Sequence, residues 1–469
     1  MIASALVVVP LVAAALCAVP WVSRAARVIA IVASLAVAAL AAWSFVAGGS
    51  AGVRAAWAGV LGARYAVDLD GLAAVFVALA GILFATGAAA SGRVGHRRAY
   101  FALWCALLAA VDGVFIARDL ALFFVFWEAM LVPLAVLMWE WGGADRRGAT
   151  LRFLLYTMGG SAFLLVGIVS LAVARGTLDI DALAARPIPA SAQLLPAMLF
   201  LAAFAVKLPL FPLHAWLPRA YVAAPIPVAL VLSGIVAKTA VYGILRISLA
   251  LFPQGMSTAA PLLVALAAVG TLYGALLAMR QDDLRRLIAF SSLSHLNLIG
   301  LALFAATLVS LRGAIVESVS HGLVVAALFL LAAMLARRTS SYALSRAGGL
   351  AATAPVLAGL STLAVVAAVG VPGTSGFAGE LLALAGAYER YPAAAAAATL
   401  VVIVAAVYGL GFIRRAYHGP PLATGADLGW RERALVVPLL ALVVAVGVAP
   451  RVVTDRVSDD ALPAVEVTR

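Results

Sequence analysis

The chain has 469 residues, 65% of them apolar and only 11% charged, with a mean hydropathy of +1.12, whereas soluble domains carry roughly 25% charged side chains. An ordinary water-soluble protein is therefore excluded, and a polytopic membrane protein is expected. The formal charge of +12 is spread over basic residues in short loops, which argues against a nucleic-acid partner, since that needs one basic patch or arm.

The N-terminal run MIASALVVVPLVAAALCAVPWVSR lacks a basic region ahead of its apolar core and a small-residue cleavage pattern behind it. A retained first span is expected, not a signal peptide. Cys17 and Cys105 lie in apolar stretches with no cysteine or histidine at ligand spacing, so they read as small core residues rather than a metal, iron-sulfur or disulfide frame. Apolar runs of about 20 residues, enough to cross ~30 Å of hydrocarbon, predict fourteen spans. Their centres lie near residues 12, 38, 80, 107, 128, 163, 203, 238, 269, 295, 324, 368, 404 and 440. Loops on the side of the first loop hold about 19 Lys and Arg and those opposite about 10. The positive-inside rule then makes the first loop cytoplasmic and puts both termini on the other side of the cell (plasma) membrane. After VVAVGVAP only a short tail is expected.

Two spans are interrupted. MLFLAAFAVKLPLFPLHAWLPRA contains Pro209, Pro212 and Pro218, and VVAAVGVPGTSGFAGELLALAG contains Pro372, Gly373, Gly376 and Gly379. Such density unwinds a helix, and irregular backbone at membrane depth survives only where protein or water covers it. The first break comes about 112 residues after residue 98 and the second about 113 after residue 259, which predicts a five-span repeat. Five is odd, so the copies must be inverted. The expected organisation is an all-α membrane fold: residues 1–97 as three leading spans, 98–251 and 252–418 as the two inverted repeats, and 419–469 as the last span and tail.

Ionisable residues mark the membrane interior. Glu128, in LFFVFWEAMLVP, lies about nine residues into its span, roughly 13 Å along the helix axis. Lys207 precedes the first break, Lys238 sits mid-span, His295 and His321 lie in the tenth and eleventh spans, and Glu380 follows the second break. A charge at this depth costs at least ~2.5 kcal/mol, so its default reading is functional. Of the 32 basic residues only Lys207 and Lys238 are lysines, and both are in spans. Arginine holds its proton too tightly for a relay, whereas buried Lys, Glu and His can be switched by a moving partner. The set Glu128, Lys207, Lys238, His295, His321 and Glu380 is thus a candidate proton relay completed by water. The competing reading for each is a structural ion pair or packing hydrogen bond. His214 reads equally as a functional group or as a cap on the unwound stretch, and Glu317, one turn before His321, as its structural partner or as a further functional group. Asp112, Asp119 and Glu140 are expected to reach the interface near span ends. RQDDLRR, 280–286, is expected to be a solvated turn or a docking surface.

The segments FFVFWEAMLVP, KLPLFPLHAWLPRA, SGIVAKTAVYGILR, DDLRRLIAFSSLSH, SHGLVVAALFLLA and VPGTSGFAGE resemble, in order and spacing, the antiporter-like subunits of NADH:quinone oxidoreductase, respiratory complex I. WE followed by MLVP, and Glu380 where other antiporter-like subunits usually have Lys, resemble subunit M, also called chain 4. The resemblance implies that Glu128 and Lys207 form the Glu-Lys pair of a first half-channel. Lys238 would be a connecting lysine, His295 and His321 the link to a second half, and Glu380 its exit-side group. It implies a translocase subunit that binds no NADH, flavin, cluster or quinone; those belong to partner subunits, and further antiporter-like subunits are expected beside it. The family's usual Asp and His after WLP, and Glu before AP, are replaced here by Arg219, Tyr221 and Ala223, and Asn297 replaces a usual Gly. Rival expectations are a cation/proton antiporter or hydrogenase-linked subunit of the same fold, a structural subunit with a degenerate channel, and a solute transporter.

Overall fold

A computed structural model describes the chain except residues 49, 59–61, 93, 421, 423–424, 456 and 458–469, and the side chains of 50, 51 and 58. Most of the expected tail lies outside the described residues. The chain begins with α1 (Ile2–Ala18) and α2 (Ala26–Ala47), then an antiparallel hairpin of β1 (Ser50–Ala58) and β2 (Ala63–Leu69). Next come α3 (Gly71–Ala90), α4 (Arg97–Ile116), α5 (Leu120–Trp141) and α6 (Arg146–Arg175). The short α7 (Ile180–Ala184) leads to α8 (Leu194–Lys207) and α9 (Leu217–Ala223), which flank an unwound stretch. Then follow α10 (Ile226–Leu251), α11 (Pro253–Met279), α12 (Leu284–Ala305) and α13 (Leu308–Thr339). A second unwound stretch separates α14 (Pro355–Ala368) from α15 (Ser375–Arg390), and α16 (Pro392–Tyr417), α17 (Trp430–Val448) and α18 (Arg451–Thr454) end the described fold. Among the described residues ten helices are long and apolar enough to cross a membrane.

Burial separates inner helices from outer ones. The most apolar stretch of α10 is 100% buried and those of α12 and α13 are 94% and 89% buried, against 33% for α2 and 39% for α6 and α16. A helix apolar on every side belongs inside. The three inner helices are the ones that carry Lys238, His295, Glu317 and His321, so the fold's centre is where its charges are.

The first break opens because Pro209 and Pro212 have no N–H to continue the helical ladder. Its orphaned groups are met by Asn297 of α12, whose side-chain oxygen accepts from Phe211 N–H at 3.1 Å while its amide donates to Pro209 O at 3.1 Å and to Leu293 O at 2.8 Å. Room for this larger residue comes from α11, where a Cβ on Gly270 would run into the Asn297 amide. The second break turns at Gly370, whose φ of +70° suits glycine and whose missing side chain leaves space for the Glu380 carboxylate. On α15, Gly379 lets that helix pack directly on the Glu317 backbone of α13.

The hairpin was not expected from the sequence. Its β2 strand runs into Asp70, which caps α3 by accepting from Ala73 N–H and lies against Arg118 at 2.7 Å and against Arg246 of α10. Asp112 departs from expectation: its carboxyl is 0% exposed and neither oxygen has a hydrogen-bond partner among the described residues. The chain seals this end of α4, with Arg118 N–H donating to Ala66 O of β2 and Leu120 N–H to Leu178 O, so Asp112 has no path to the interface. Glu140 is exposed, and Asp119 caps α5 by accepting from Ala121 and Leu122 N–H. Cys17 and Cys105, far apart in sequence, meet where α1 packs on α4, and both are free thiols.

Candidate functional site

The site has two parts. In the first, Lys207 ends α8 at the break and is 2% exposed. Its ammonium lies 3.5 Å from the centre of the Trp127 ring and 3.5 Å from Met130 Sδ. Trp127 is held by its indole N–H donating to Ser161 Oγ at 3.1 Å, and Trp216, beyond the break, donates to Val206 O at 2.9 Å. The expected Glu128–Lys207 pair is not a contact ion pair among the described residues. Trp127 precedes Glu128 on the same helix, and its ring occupies the face turned to the ammonium. Glu128 follows it in the sequence, and its Oε1 is buried without a hydrogen-bond partner among the described residues. A desolvated cation over an indole is held by about 2 kcal/mol or more.

The second part joins four helices. Lys238 of α10 is 0% exposed; its Nζ donates to Ser233 O at 2.7 Å and lies 2.6 Å from His321 Nδ1 of α13. Widened π-helical turns at Leu232–Val236 and Ile244–Ser248 bracket Lys238, and such turns release carbonyls from the regular ladder. The His321 and His295 ring centres are 5.8 Å apart. His295 Nδ1 of α12 lies 3.2 Å from Glu317 Oε1 of α13 and 3.5 Å from Glu380 Oε1 of α15. Glu317 therefore pairs with His295 on the neighbouring helix rather than with His321 on its own, and His321 takes Lys238 instead. Glu317 Oε2 and His321 Nε2 have no partner among the described residues. Ser291, Ser292, His295, Glu317, Ser320 and His321 line a cavity of ≈ 20 Å³, room for about one water.

Chemically this is a proton-sharing row. At 2.6 Å two unit cations would repel by ~6 kcal/mol at an effective dielectric of about 20, so Lys238 and His321 hold one added proton between them. His295, between two carboxylates, is poised to hold another. One atom each from His295, Glu317 and Glu380 lie within 4.8 Å of one another, a spacing a cation could use, although their direct contacts account for it without one. His214 is 8% exposed and stacks on Phe211 at 5.5 Å beside Tyr273, with Nδ1 unpartnered among the described residues. In the altered loop Arg219 is exposed, Tyr221 is fully buried with its hydroxyl unpartnered among the described residues, and Ala223 is buried. The RQDDLRR turn is partly solvated and also ties loops together: Asp283 caps α12, and Asp282 pairs with Arg415 at 3.6 Å and accepts from Ser345.

Sequence reading underrated Glu317 because its partner depends on how α12 and α13 rotate against each other. The signal was present, since Glu317 and His321 share a helix face that also had to meet His295.

Comparison with known proteins places the chain in a family. The family model described as NADH:quinone oxidoreductase/Mrp antiporter, TM, matches residues 117–406. NADH-quinone oxidoreductase subunit M of Rhodobacter capsulatus is 36% identical over 420 residues, covering 86% of this chain and 82% of that protein. A chain of respiratory complex I from Thermus thermophilus with bound NADH superposes with a TM-score of 0.91 at 32% identity, covering 98% of this chain and 99% of the other. A chain of the membrane-bound sulfane sulfur reductase, an archaeal respiratory membrane complex, gives 0.88 at 26% identity, covering 98% of each. The chain belongs to the NADH:quinone oxidoreductase/Mrp antiporter transmembrane family, among relatives named subunit M or chain 4.

Proposed function

We propose that this chain is a proton-translocating membrane subunit of an NADH:quinone oxidoreductase, passing protons through Glu128, Lys207, Lys238, His321, His295, Glu317 and Glu380 with water between them. The carrying observation is the buried row from Lys238 through His321 and His295 to Glu317 and Glu380, contributed by four different helices. Ion pairs that only brace a fold need no third and fourth titratable member in line. Fourteen spans with two inverted five-span repeats, each interrupted beside Lys207 or Glu380, form the scaffold. The first loop faces the cytoplasm of a plasma membrane, and both termini face the other side. Flavin, iron-sulfur clusters and quinone belong to partner subunits, and the chain contributes to the translocase through charge shifts rather than redox chemistry. Other antiporter-like subunits flank it in the bilayer.

Glu128→Gln tests this reading in membranes that hold the assembled complex. Proton pumping is expected to fall by about 10²-fold, the scale of a lost proton-transfer group, with assembly intact. Undiminished pumping by an assembled variant contradicts the relay. A second reading, a cation/proton exchanger in another membrane assembly, is favoured by the His295, Glu317 and Glu380 cluster. It predicts sodium-dependent turnover, which sodium-free buffer would abolish.

A further inference from the structure

Arginine gathers at one end of the first four helices with no acid to answer it. Up to residue 111 the chain has two carboxylates, Asp68 and Asp70. Both lie at the start of α3, where Arg118 pairs with them. The other end of that helix is about 30 Å away at the helical rise. There Arg24, Arg27, Arg97 and Arg98 stand in the turn between α1 and α2 or in the first turns of α2 and α4. Arg27 is used inside the fold, donating to Ala89 O. Arg24, Arg97 and Arg98 pair with no carboxylate among the described residues. Arg97 rests 5.9 Å from the centre of the Phe101 ring, and its Nε is buried without a partner among the described residues.

A cleft of ≈ 420 Å³ opens between the end of α1 and the start of α4, lined by Ala18, Ser23, His96, Arg97, Arg98 and Ala99. That volume falls within the roughly 300–1,000 Å³ of ligand sites. The lining selects an anion, since it offers two guanidinium groups, an imidazole and a hydroxyl but no acid. Guanidinium forks match phosphate oxygens two at a time. The first turn of α4, in the same wall, has no side-chain cap and adds its own partial positive charge.

The depth of the cleft selects a lipid. Trp21, in the turn after α1, is 87% exposed. Trp141 is tied next to His96 by its indole N–H, which donates to Gly95 O at 2.8 Å. Tryptophan collects at the level of lipid headgroups. On the bilayer side of Ala18, α1 turns Val8, Leu11, Val12 and Leu16 outward, each 45–53% exposed. From Val8 to Leu16 is roughly 12 Å along the helix, close to the ~15 Å of hydrocarbon in one leaflet. A soluble anion would leave this stripe unused.

We propose that the cleft holds the phosphate headgroup of an anionic phospholipid, gripped by Arg97, Arg98 and Ser23, with its acyl chains laid along the Val8–Leu16 stripe of α1. The positive-inside orientation makes it a lipid of the cytoplasmic leaflet, and only the leaflet depends on that orientation. The site is independent of the proton relay. Bound there, the lipid bridges the turn after α1 to the first turn of α4 and neutralises arginines that the protein leaves unpaired.

Photo-crosslinking reads this out in the assembled complex, reconstituted into phosphatidylcholine vesicles that contain a small fraction of phosphatidylglycerol with a photoreactive acyl chain. Peptides from α1 and from residues 94–99 are expected to carry the adduct, and the same photoreactive chain on phosphatidylcholine to give several-fold less. Arg97→Gln combined with Arg98→Gln is expected to lower the phosphatidylglycerol adduct about tenfold, whereas Arg286→Gln, in the RQDDLRR turn, leaves it unchanged. Should the double variant fail to assemble, Arg98→Gln alone, at an exposed position, is expected to lower the adduct several-fold and Arg98→Lys to restore part of it. Equal labelling by the two lipids, or an adduct indifferent to the arginine substitutions, overturns the site, because the cleft then meets only bulk lipid. A wild-type complex without the adduct also overturns it, and a neighbouring subunit crosslinked to the same peptides would identify a protein as the occupant. Displacement of the adduct by millimolar inorganic phosphate would reassign the cleft to a soluble anion and contradict the lipid.

Discussion

Glu317 has two carboxylate oxygens and, among the described residues, only one of them is satisfied, by His295 at 3.2 Å. A group left half-paired inside a membrane protein is expensive, and its retention is explained if the free oxygen takes part in transfer. Lys238 offers a sharper distinction between bracing and transfer. Lys238→Arg keeps a cation but cannot release its proton, so a structural pair with His321 would tolerate it while a relay would not. Pumping is expected to fall by about 10²-fold in Lys238→Arg, with complex assembly monitored by native electrophoresis. On the other side of the site, Trp127→Leu removes the indole from beneath the Lys207 ammonium. Pumping is expected to fall several-fold, and Trp127→Phe to restore part of it, because a smaller π-face still holds the cation. Which residues matter was legible because Lys, Glu and His stand out in apolar runs. Who pairs with whom was not, since Trp127 rather than Glu128 faces Lys207, and on α13 Glu317 pairs with His295 of α12 while His321 takes Lys238 of α10.

At the scale of elements, the two breaks follow from proline and glycine chemistry and were visible in the sequence. What braces the first one was not. Asn297 looked like a simple departure from a usual glycine, but its side chain meets three backbone groups, two of them in the unwound stretch. Asn297→Ala leaves the Phe211 N–H and Pro209 carbonyl without this partner, at about 1 to 3 kcal/mol for each buried group left unsatisfied. A lower unfolding midpoint of the detergent-solubilised protein is expected, and an unchanged midpoint would show that water replaces the amide. The hairpin escaped notice because its strands, Ser50–Ala58 and Ala63–Leu69, are rich in alanine and alternate weakly. Asp112 was misjudged for a related reason: its distance from the helix end ignored the strand that seals it.

At the scale of the whole molecule, Asp70 ties the hairpin, α3, the α4–α5 turn and α10 together through Arg118 and Arg246. Burial by itself would raise the Asp70 carboxyl, but Arg246 and Arg118 outweigh it and hold it below its ordinary value. A depressed carboxylate contributes stability above its unfolded pKa and loses it as pH falls through the folded value. The wild-type protein is therefore expected to lose stability on acidification below about pH 4, and Asp70→Asn to be less stable at neutral pH and less sensitive to acid, both measured by thermal unfolding against pH. Lys238 and Arg246 lie on the same helix, so this clamp also fixes the register of the relay's central lysine. The inner helices hold the charges and the outer ones face lipid, an arrangement that hydropathy alone could not assign because both kinds are equally apolar.

The most direct test of the relay is the number of protons moved per NADH oxidised in sealed vesicles of the assembled complex carrying Glu317→Gln. The variant keeps the volume and one hydrogen bond to His295 but cannot carry a proton. The relay predicts fewer protons per NADH, or coupled loss of both pumping and NADH oxidation, in a complex of normal composition. Wild-type proton yield at the wild-type oxidation rate would contradict it.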